Sequence, residues 1–352
     1  MQLDIPFIPD PGYLDLLLKN EQRIHSFHFA LPGIPTYDAR AFTPRDTALS
    51  ETIQGLNAFP RQKKHILLNG RFQHPDRYFK GKELTALIRA LAFWVDKVGV
   101  EGIILADMYL LTTLSREAPD LAPSLQAIPS VNCVIDTADK GMSFLELIES
   151  TRFRMPEMLI LDRSLNRKAG ELEHTARALK EYAPKTRLAL LANEGCLYQC
   201  PFKQTHNSQT ALTNTGLVRE NSYAISRERG CISYFLEHPQ AILKSPFIRP
   251  EDQQSYAPAA DVIKVCGRNM GPKFLIKTVS AYLYESFDGS LLSLLDATEW
   301  MTEHYDLPNP LFPDTFFETV TTCSKNCATC RYCDELFASI SRSTLGTIGP
   351  RS

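Results

Sequence analysis

Residues 187–203 read RLALLANEGCLYQCPFK. The stretch opens on an unbroken apolar run with no polar alternation, the pattern of a parallel strand covered on both faces. Asn193 and Glu194 end the run, Gly195 turns the chain, and Cys196 and Cys200 follow in a polar loop closed by Pro201. One segment therefore carries a buried strand, polar groups at its C-terminal end and a pair of thiols. Moving outward, the same rhythm recurs in IHSFHFAL, HILLNGRF, GIILADMYL, VNCVIDT, MLILDRS, AILKSPFIRP and DVIKVCGR. Between these runs lie segments of helical period. The clearest spans residues 82–98, with Leu84, Leu87, Ile88, Leu91, Val95 and Val98 on one face. Leu172, Ala176 and Leu179 mark another, and Pro272 opens a third that carries Leu275, Val279 and Leu283. Strands alternating with helices predict either a closed barrel or an open doubly wound sheet. No run leads into a GxGxxG phosphate loop and a count of eight closes a ring, so the reading is a TIM-like (β/α)8 barrel over residues 1–286.

The 352 residues fit such a barrel with an appendage, and 44% hydrophobic with 22% charged residues is the make-up of a chain with a large core. A net charge of -2 offers no basic field for nucleic acid. The start, MQLDIPFIPDPG, lacks the basic and apolar regions of a secretory signal, and no run is long enough to span a membrane. A cytoplasmic location is expected. Nine cysteines in such a chain, eight of them in its second half, point to metal ligation over disulfides.

Polar residues gather at the ends of the apolar runs: Asn69, Arg71, Asp107, Asp136, Asp162, Arg163, Asn193, Glu194, Arg249 and Arg268. In a barrel these ends converge on one mouth. Each alone has a structural use, as a helix cap or an ion-pair partner. Together, Arg71, Arg163, Arg249 and Arg268 predict an anionic small-molecule substrate, because guanidinium grips carboxylate or phosphate in two-pronged fashion. His206 is a candidate acid or base. Cys196, Cys200, Cys231 and Cys266 also fall near that mouth, although seventy residues of chain separate the first from the last. Four converging thiolates make a metal site, and an iron-sulfur cluster suits a dispersed set of this kind. Cys133, inside VNCVIDT, reads as a small buried hydrophobe.

NEGCLYQCPFK, the isolated cysteine of CISYF, SPFIRPED and DVIKVCGR together resemble the collagenase-like peptidase U-thirty-two family over roughly residues 20–286. The resemblance implies a β/α barrel with a 4Fe-4S cluster on Cys196, Cys200, Cys231 and Cys266. It also implies oxygen-independent hydroxylation of the kind its members perform on ubiquinone precursors or RNA bases, so the substrate expected is small and anionic or aromatic. Paired members imply two further roles, an iron-sulfur scaffold or an electron-transfer subunit working with a protein partner. The chain departs from the family in carrying Cys266 where relatives have a glutamate before the glycine. The peptidase activity of the family name is a third reading, although no GxSxG elbow or HExxH helix is present.

Residues 287–352 form a C-terminal extension: one more helix in SLLSLLDATEWMTEHY, a proline-broken connector in DLPNPLFPDTFF, then CSKNCATCRYC. Cys323, Cys327, Cys330 and Cys333 are spaced C-x3-C-x2-C-x2-C, so that successive thiolates can point inward around one compact turn. A second 4Fe-4S cluster or a zinc ion satisfies that spacing. Radical S-adenosylmethionine enzymes share C-x3-C-x2-C, but they place it after the first barrel strand and leave one iron open.

Overall fold

The computed structural model describes residues 1–32, 37–39, 49–219 and 222–344. Eight strands form one sheet: β1 (Gln2–Pro6), β2 (Ile24–Ala30), β3 (Lys63–Leu68), β4 (Gly102–Leu105), β5 (Gln126–Pro129), β6 (Met158–Ile160), β7 (Arg187–Leu191) and β8 (Val262–Lys264). They pair in the order β5-β4-β3-β2-β1-β8-β7-β6, all parallel. Arg154 joins the two ends, its N–H donating to Leu125 O (2.9 Å) and its carbonyl accepting from Ala127 N–H (3.2 Å). The result is the expected TIM-like barrel, with each strand beside its sequence neighbours around the ring.

Helices α1 (Pro11–Lys19), α2 (Leu49–Asn57), α3 (Lys82–Val98), α4 (Met108–Glu117), α5 (Ala138–Glu149) and α6 (Ala169–Tyr182) fill the crossovers up to β7. The stripe predicted for α3 is buried through Leu84, Leu87, Leu91, Trp94 and Val98. Gly99 ends that helix in the left-handed region (φ 68°), its N–H returning to Trp94 and Val95 carbonyls. Asp107 caps α4 by accepting from the N–H groups of Tyr109 and Leu110, and its other oxygen accepts from the Tyr78 hydroxyl (2.6 Å), so its bonds serve the fold. After β7 come α7 (Lys203–Asn214), α8 (Ser222–Arg229) and α9 (Cys231–Glu237), and α10 (Pro272–Tyr284) follows β8.

The structure differs from the sequence reading at four places. The first strand is QLDIP at the N-terminus, which the apolar pattern does not reveal because its middle residue is Asp4. VNCVIDT is not a strand; β5 lies just before it, and residues 131–133 are a 3-10 turn. AILKSPFIRP is not a strand either. Residues 239–244 form a 3-10 helix, and Ile242, Leu243 and Phe247 are buried without pairing to the sheet. They belong to a second apolar core shared with Leu291, Leu295, Met301, Leu307, Phe312, Phe316 and Phe337 of the C-terminal segment. That core also replaces the helix expected across residues 290–305 with two short 3-10 turns, Leu291–Leu294 and Glu299–Glu303. Two true helices follow, α11 (Phe316–Thr322) and α12 (Tyr332–Ile340).

Strand residues alternate between two environments. Leu3, Phe27, Ile66, Ile103, Leu159, Leu190 and Ile263 face the helices in the main core. Leu67, Ile104, Ile128, Met158, Ile160, Ala189 and Val262 form a separate cluster, as the lumen of a small barrel requires. On the β8-β1-β2-β3 side the interior is polar instead, with Asp4, Ser26, His28, His65 and Lys264 all buried. Lys264 pairs with Asp4, which also accepts from Ser26 Oγ (2.8 Å). His28 Nδ1 lies 2.9 Å from Lys264 Nζ and 3.1 Å from Asp4 Oδ1. Neutral His28 can accept from the ammonium or donate to the carboxylate through that one nitrogen, not both. Burial opposes ionisation of Asp4, but Lys264 and His28 bring its carboxyl well below the usual range. Burial, aided by Lys264, lowers His28 to about 4, and burial lowers His65 to about 3.

The sign of the pH effect follows. An unfolded chain protonates these imidazoles near 6.5, whereas the folded chain resists until about 4 and 3. Their contribution is complete above pH 6.5 and is lost as pH falls through those values. Melting curves recorded between pH 7.5 and 4 should therefore decline on acidification, and His65→Gln should decline less steeply. Parallel curves for the two proteins would contradict the assignment.

Candidate functional site

The C-terminal ends of the strands surround a cavity of about 440 Å³. Its floor includes Leu67, Ile104 and Leu191 together with His28 and Lys264, so the buried ion network opens into it. Cys196, Cys200, Cys231 and Cys266 all line it. Three segments deliver these thiols: the loop after β7, the start of α9 and the end of β8. A second hollow, about 600 Å³ and open to solvent, lies near Met1, Gln2, Arg187 and Asp261 and carries no thiol.

Asn193, fully buried, ties the ends of β7 and β8 together. Its Nδ2 donates to the carbonyls of Cys266 (3.1 Å) and Leu294 (3.0 Å), and its Oδ1 accepts from Cys266 N–H (2.6 Å). Asn193 thus fixes the backbone of a thiol-bearing residue from behind the cavity wall. Gly195 is needed at the next step because a Cβ there would overlap the side chain of Thr298. Its N–H donates to Asp296 O (3.0 Å) and its carbonyl accepts from Ser245 Oγ (3.1 Å), so both second-core segments press on this turn. Glu194 pairs with Arg163, and Cys196 Sγ donates to Glu194 Oε1 (3.4 Å).

The wall is rich in cations. Arg163, Lys203, Lys264 and Arg268 line the cavity, against the carboxylates of Glu194 and Asp296. Lys203 pairs with Asp162 at 2.9 Å, and Arg268 pairs with Asp38. Burial works against the charge of Asp162, yet Lys203 and Ser164 hold its carboxyl below the usual range. Burial and the nearby Arg163 lower Lys203, and the same two causes lower His206, leaving its imidazole neutral near pH 7. Burial raises the thiols of Cys196 and Cys231; Arg163 opposes the rise at Cys196, whereas Cys200 adds to it at both. Such thiols stay protonated until something positive, an iron centre or a metal ion, takes up their charge.

Of the residues read from sequence, Arg163, Glu194, His206, Arg268 and the four barrel cysteines meet at this cavity. Arg249 does not. It is buried in the second core, bound by Asp252 at 3.0 and 3.1 Å and set over the rings of Phe312 and Phe316. Its misplacement follows from taking AILKSPFIRP as a strand. Arg71 is half-buried and does not line the cavity. The cationic wall is completed instead by Lys203 and Lys264, which the sequence reading passed over. Lys264 shows itself only once alternate residues of VIK are assigned to the lumen. Cys133 is partly buried in the turn after β5, and burial pushes its thiol up to about 12, in keeping with an inert role. Cys323, Cys327 and Cys330 are exposed and Cys333 half-buried, away from the cavity lining.

Among the described residues no three thiol, imidazole or carboxylate groups stand close enough together to hold a metal ion as they are placed. The barrel set nonetheless fits an iron-sulfur cluster in its chemistry: four thiols on one cavity, with cationic neighbours to offset thiolate charge.

No family model matches the chain. The "Uncharacterized protease MJ1657" of Methanocaldococcus jannaschii is 29% identical over 245 residues, covering 69% of this chain and 67% of that protein. The solved structure of the U32 peptidase Mk0906 superposes with a TM-score of 0.50 at 16% identity, covering 76% of this chain and 93% of the other. The U32 resemblance is borne out. It rests on a relative named as a protease and on a shared barrel, and the U32 peptidase shares the fold across nearly its whole length. No described helix is long and apolar enough to cross a membrane.

In this U32-like barrel Asn193 is the residue whose loss should be felt most directly at the thiols. Asn193→Leu leaves the buried N–H and carbonyl of Cys266 without these partners, at a cost of about 1–3 kcal/mol for each group stranded. Urea denaturation should show a drop of that order, and wild-type stability in the variant would refute the clamp.

Proposed function

We propose that the cavity at the barrel mouth is a thiolate-ligated iron-sulfur site acting on a small anionic or aromatic substrate, with oxygen-independent hydroxylation as its reaction class. The observation that supports this is the lining itself: Cys196, Cys200, Cys231 and Cys266 on one cavity whose other charged groups are mostly cationic. These four residues would hold the cluster. When bound, it would supply electron-transfer chemistry, with a potential tuned by hydrogen bonds to sulfur and by solvent access.

The chain's own residues have separable tasks. Arg163 and Arg268 present guanidinium groups to a carboxylate or phosphate, each already oriented by an acidic partner. Lys203 adds a third positive charge, held in place by Asp162. Leu67, Ile104, Leu191 and Leu197 shield the apolar part of a substrate from water. His206 is neutral at physiological pH and available to accept a proton.

Peptide-bond cleavage is the second reading, and a specific observation favours it: the relative in Methanocaldococcus jannaschii is named a protease and the matching structure a peptidase. The comparisons favour that reading over the redox one, whereas the donor set of the cavity favours iron-sulfur chemistry. Anaerobic purification separates the two. The first reading predicts a brown protein with about four iron and four sulfide assignable to the barrel, and Cys196→Ala should abolish that electron paramagnetic resonance signal. Casein or gelatin cleavage by a colourless, iron-free preparation would overturn it in favour of the peptidase.

A further inference from the structure

The loop after β6 contains a buried charge that the barrel site does not use. Arg167 is 3% exposed, closing the 3-10 turn Arg163–Arg167. Its guanidinium sits beside the stacked pair of Phe247 and Phe316, with its carbon 4.6 Å from the centroid of Phe247 and 5.6 Å from that of Phe316. Its Nε and Nη2 are buried and lack hydrogen-bond partners among the described residues. A guanidinium cannot shed its charge at neutral pH, and leaving its donors unpaired inside a protein is costly. Asp252 contributes to its field, but that carboxylate is bonded to Arg249 through both oxygens.

The Tyr256 phenol also bears on Arg167, but burial raises it, so it stays neutral. Packing leads from Arg167 to the tail: Phe316, on which it rests, opens the helix that ends at Cys323, and Phe247 and Phe316 share the second core with Cys333. Cys333 is packed on the second core beside Phe337 and Leu336 at the start of α12. Cys323 ends α11, whose Phe316 covers Arg167, and Lys325 Nζ stands 3.1 Å from its sulfur. Cys327 and Cys330 lie between them in an exposed loop. The loop bends back on itself: Lys325 has positive φ (60°), and the N–H groups of Cys327 and Cys330 donate to Lys325 O (2.9 Å) and Asn326 O (3.1 Å). As placed, the four sulfurs do not converge to a metal-binding distance. Cys323 and Cys333 sit at the ends of two helices that flank the turn carrying Cys327 and Cys330, so all four belong to one short segment.

We infer that Cys323, Cys327, Cys330 and Cys333 hold a second metal centre as four thiolates, and that the buried Arg167 is its counter-charge. Four thiolates around a divalent metal, or around an iron-sulfur cluster, carry net negative charge. Arg167 and Lys325 would oppose that charge on its protein side, and Lys244 stands 3.9 Å from Asp334, next to Cys333. Zinc and the cluster share this ligand chemistry, and metal content tells them apart.

The test uses the full chain purified without oxygen, with zinc, iron and sulfide counted per chain. Wild type should carry metal that Cys327→Ser/Cys330→Ser lacks and that Cys196→Ser retains. Loss of one zinc identifies the ion, and loss of four iron with four sulfide identifies the cluster. Both altered residues are exposed, so the fold should survive, which melting will verify. Metal content unchanged by the double substitution overturns the site, and does so whether or not the barrel cluster exists. For the counter-charge, metal-free chain loaded with zinc alone should release it to a chelator at about tenfold weaker affinity in Arg167→Met, with Arg167→Lys closer to wild type. Equal affinity in all three proteins overturns the role of Arg167.

Discussion

The ring closes where its first and last strands meet, and a buried ion pair crosses that seam. Asp4 of β1 and Lys264 of β8 are register partners and point together into the lumen. Two charges taken out of water are costly to bury, and they are tolerated when each satisfies the other and nearby donors complete the set. Ser26 and His28 from β2 complete it here. Every other feature of the mouth depends on this closure. β1 lies between β2 and β8 and pairs with both, so it sets the position of Cys266, just past β8, relative to β2.

That seam also explains what could and could not be seen in the sequence. Apolar runs such as GIILADMYL and MLILDRS announce strands because both of their faces are apolar. QLDIP is silent because its inward face carries Asp4, and only the partner strands supply the reason for an acid there. Conversely, AILKSPFIRP is apolar enough to pass as a strand, but it is buried by the C-terminal segment rather than by the sheet. Pattern reports burial and does not say against what. The thiols were legible for a different reason: Gly195, Pro201 and the polar residues around Cys196 and Cys200 set them in a loop after a strand, and a barrel sends all such loops to one rim. The clamp made by Asn193 and the cations Lys203 and Lys264 were not, because their meaning lies in which way a side chain points.

The second core changes the meaning of the C-terminal segment. Leu197, Phe235, Ile242, Leu243 and Phe247, all from the long passage between β7 and β8, pack against Leu291, Leu295, Phe312 and Phe316. The passage that delivers Cys196, Cys200 and Cys231 to the mouth is thus held from outside by residues beyond the barrel. Thr298 leaves room for no residue but glycine at position 195, and Asp296 accepts its N–H. Packing of the segment and geometry of the thiol loop are one problem, solved by the same contacts.

A single five-residue turn stands between the two groups of cysteines. Asp162 caps it by accepting Ser164 N–H (2.9 Å), and Asn166 at its far side donates to the carbonyls of Leu191 (2.8 Å) and Pro246 (2.8 Å). Those bonds bind the turn to the end of β7 and to the long connection at once. Arg163 at its start faces the mouth cavity, while Arg167 at its end faces the tail. Opposite ends of one rigid turn therefore carry positive charge toward two sets of thiols.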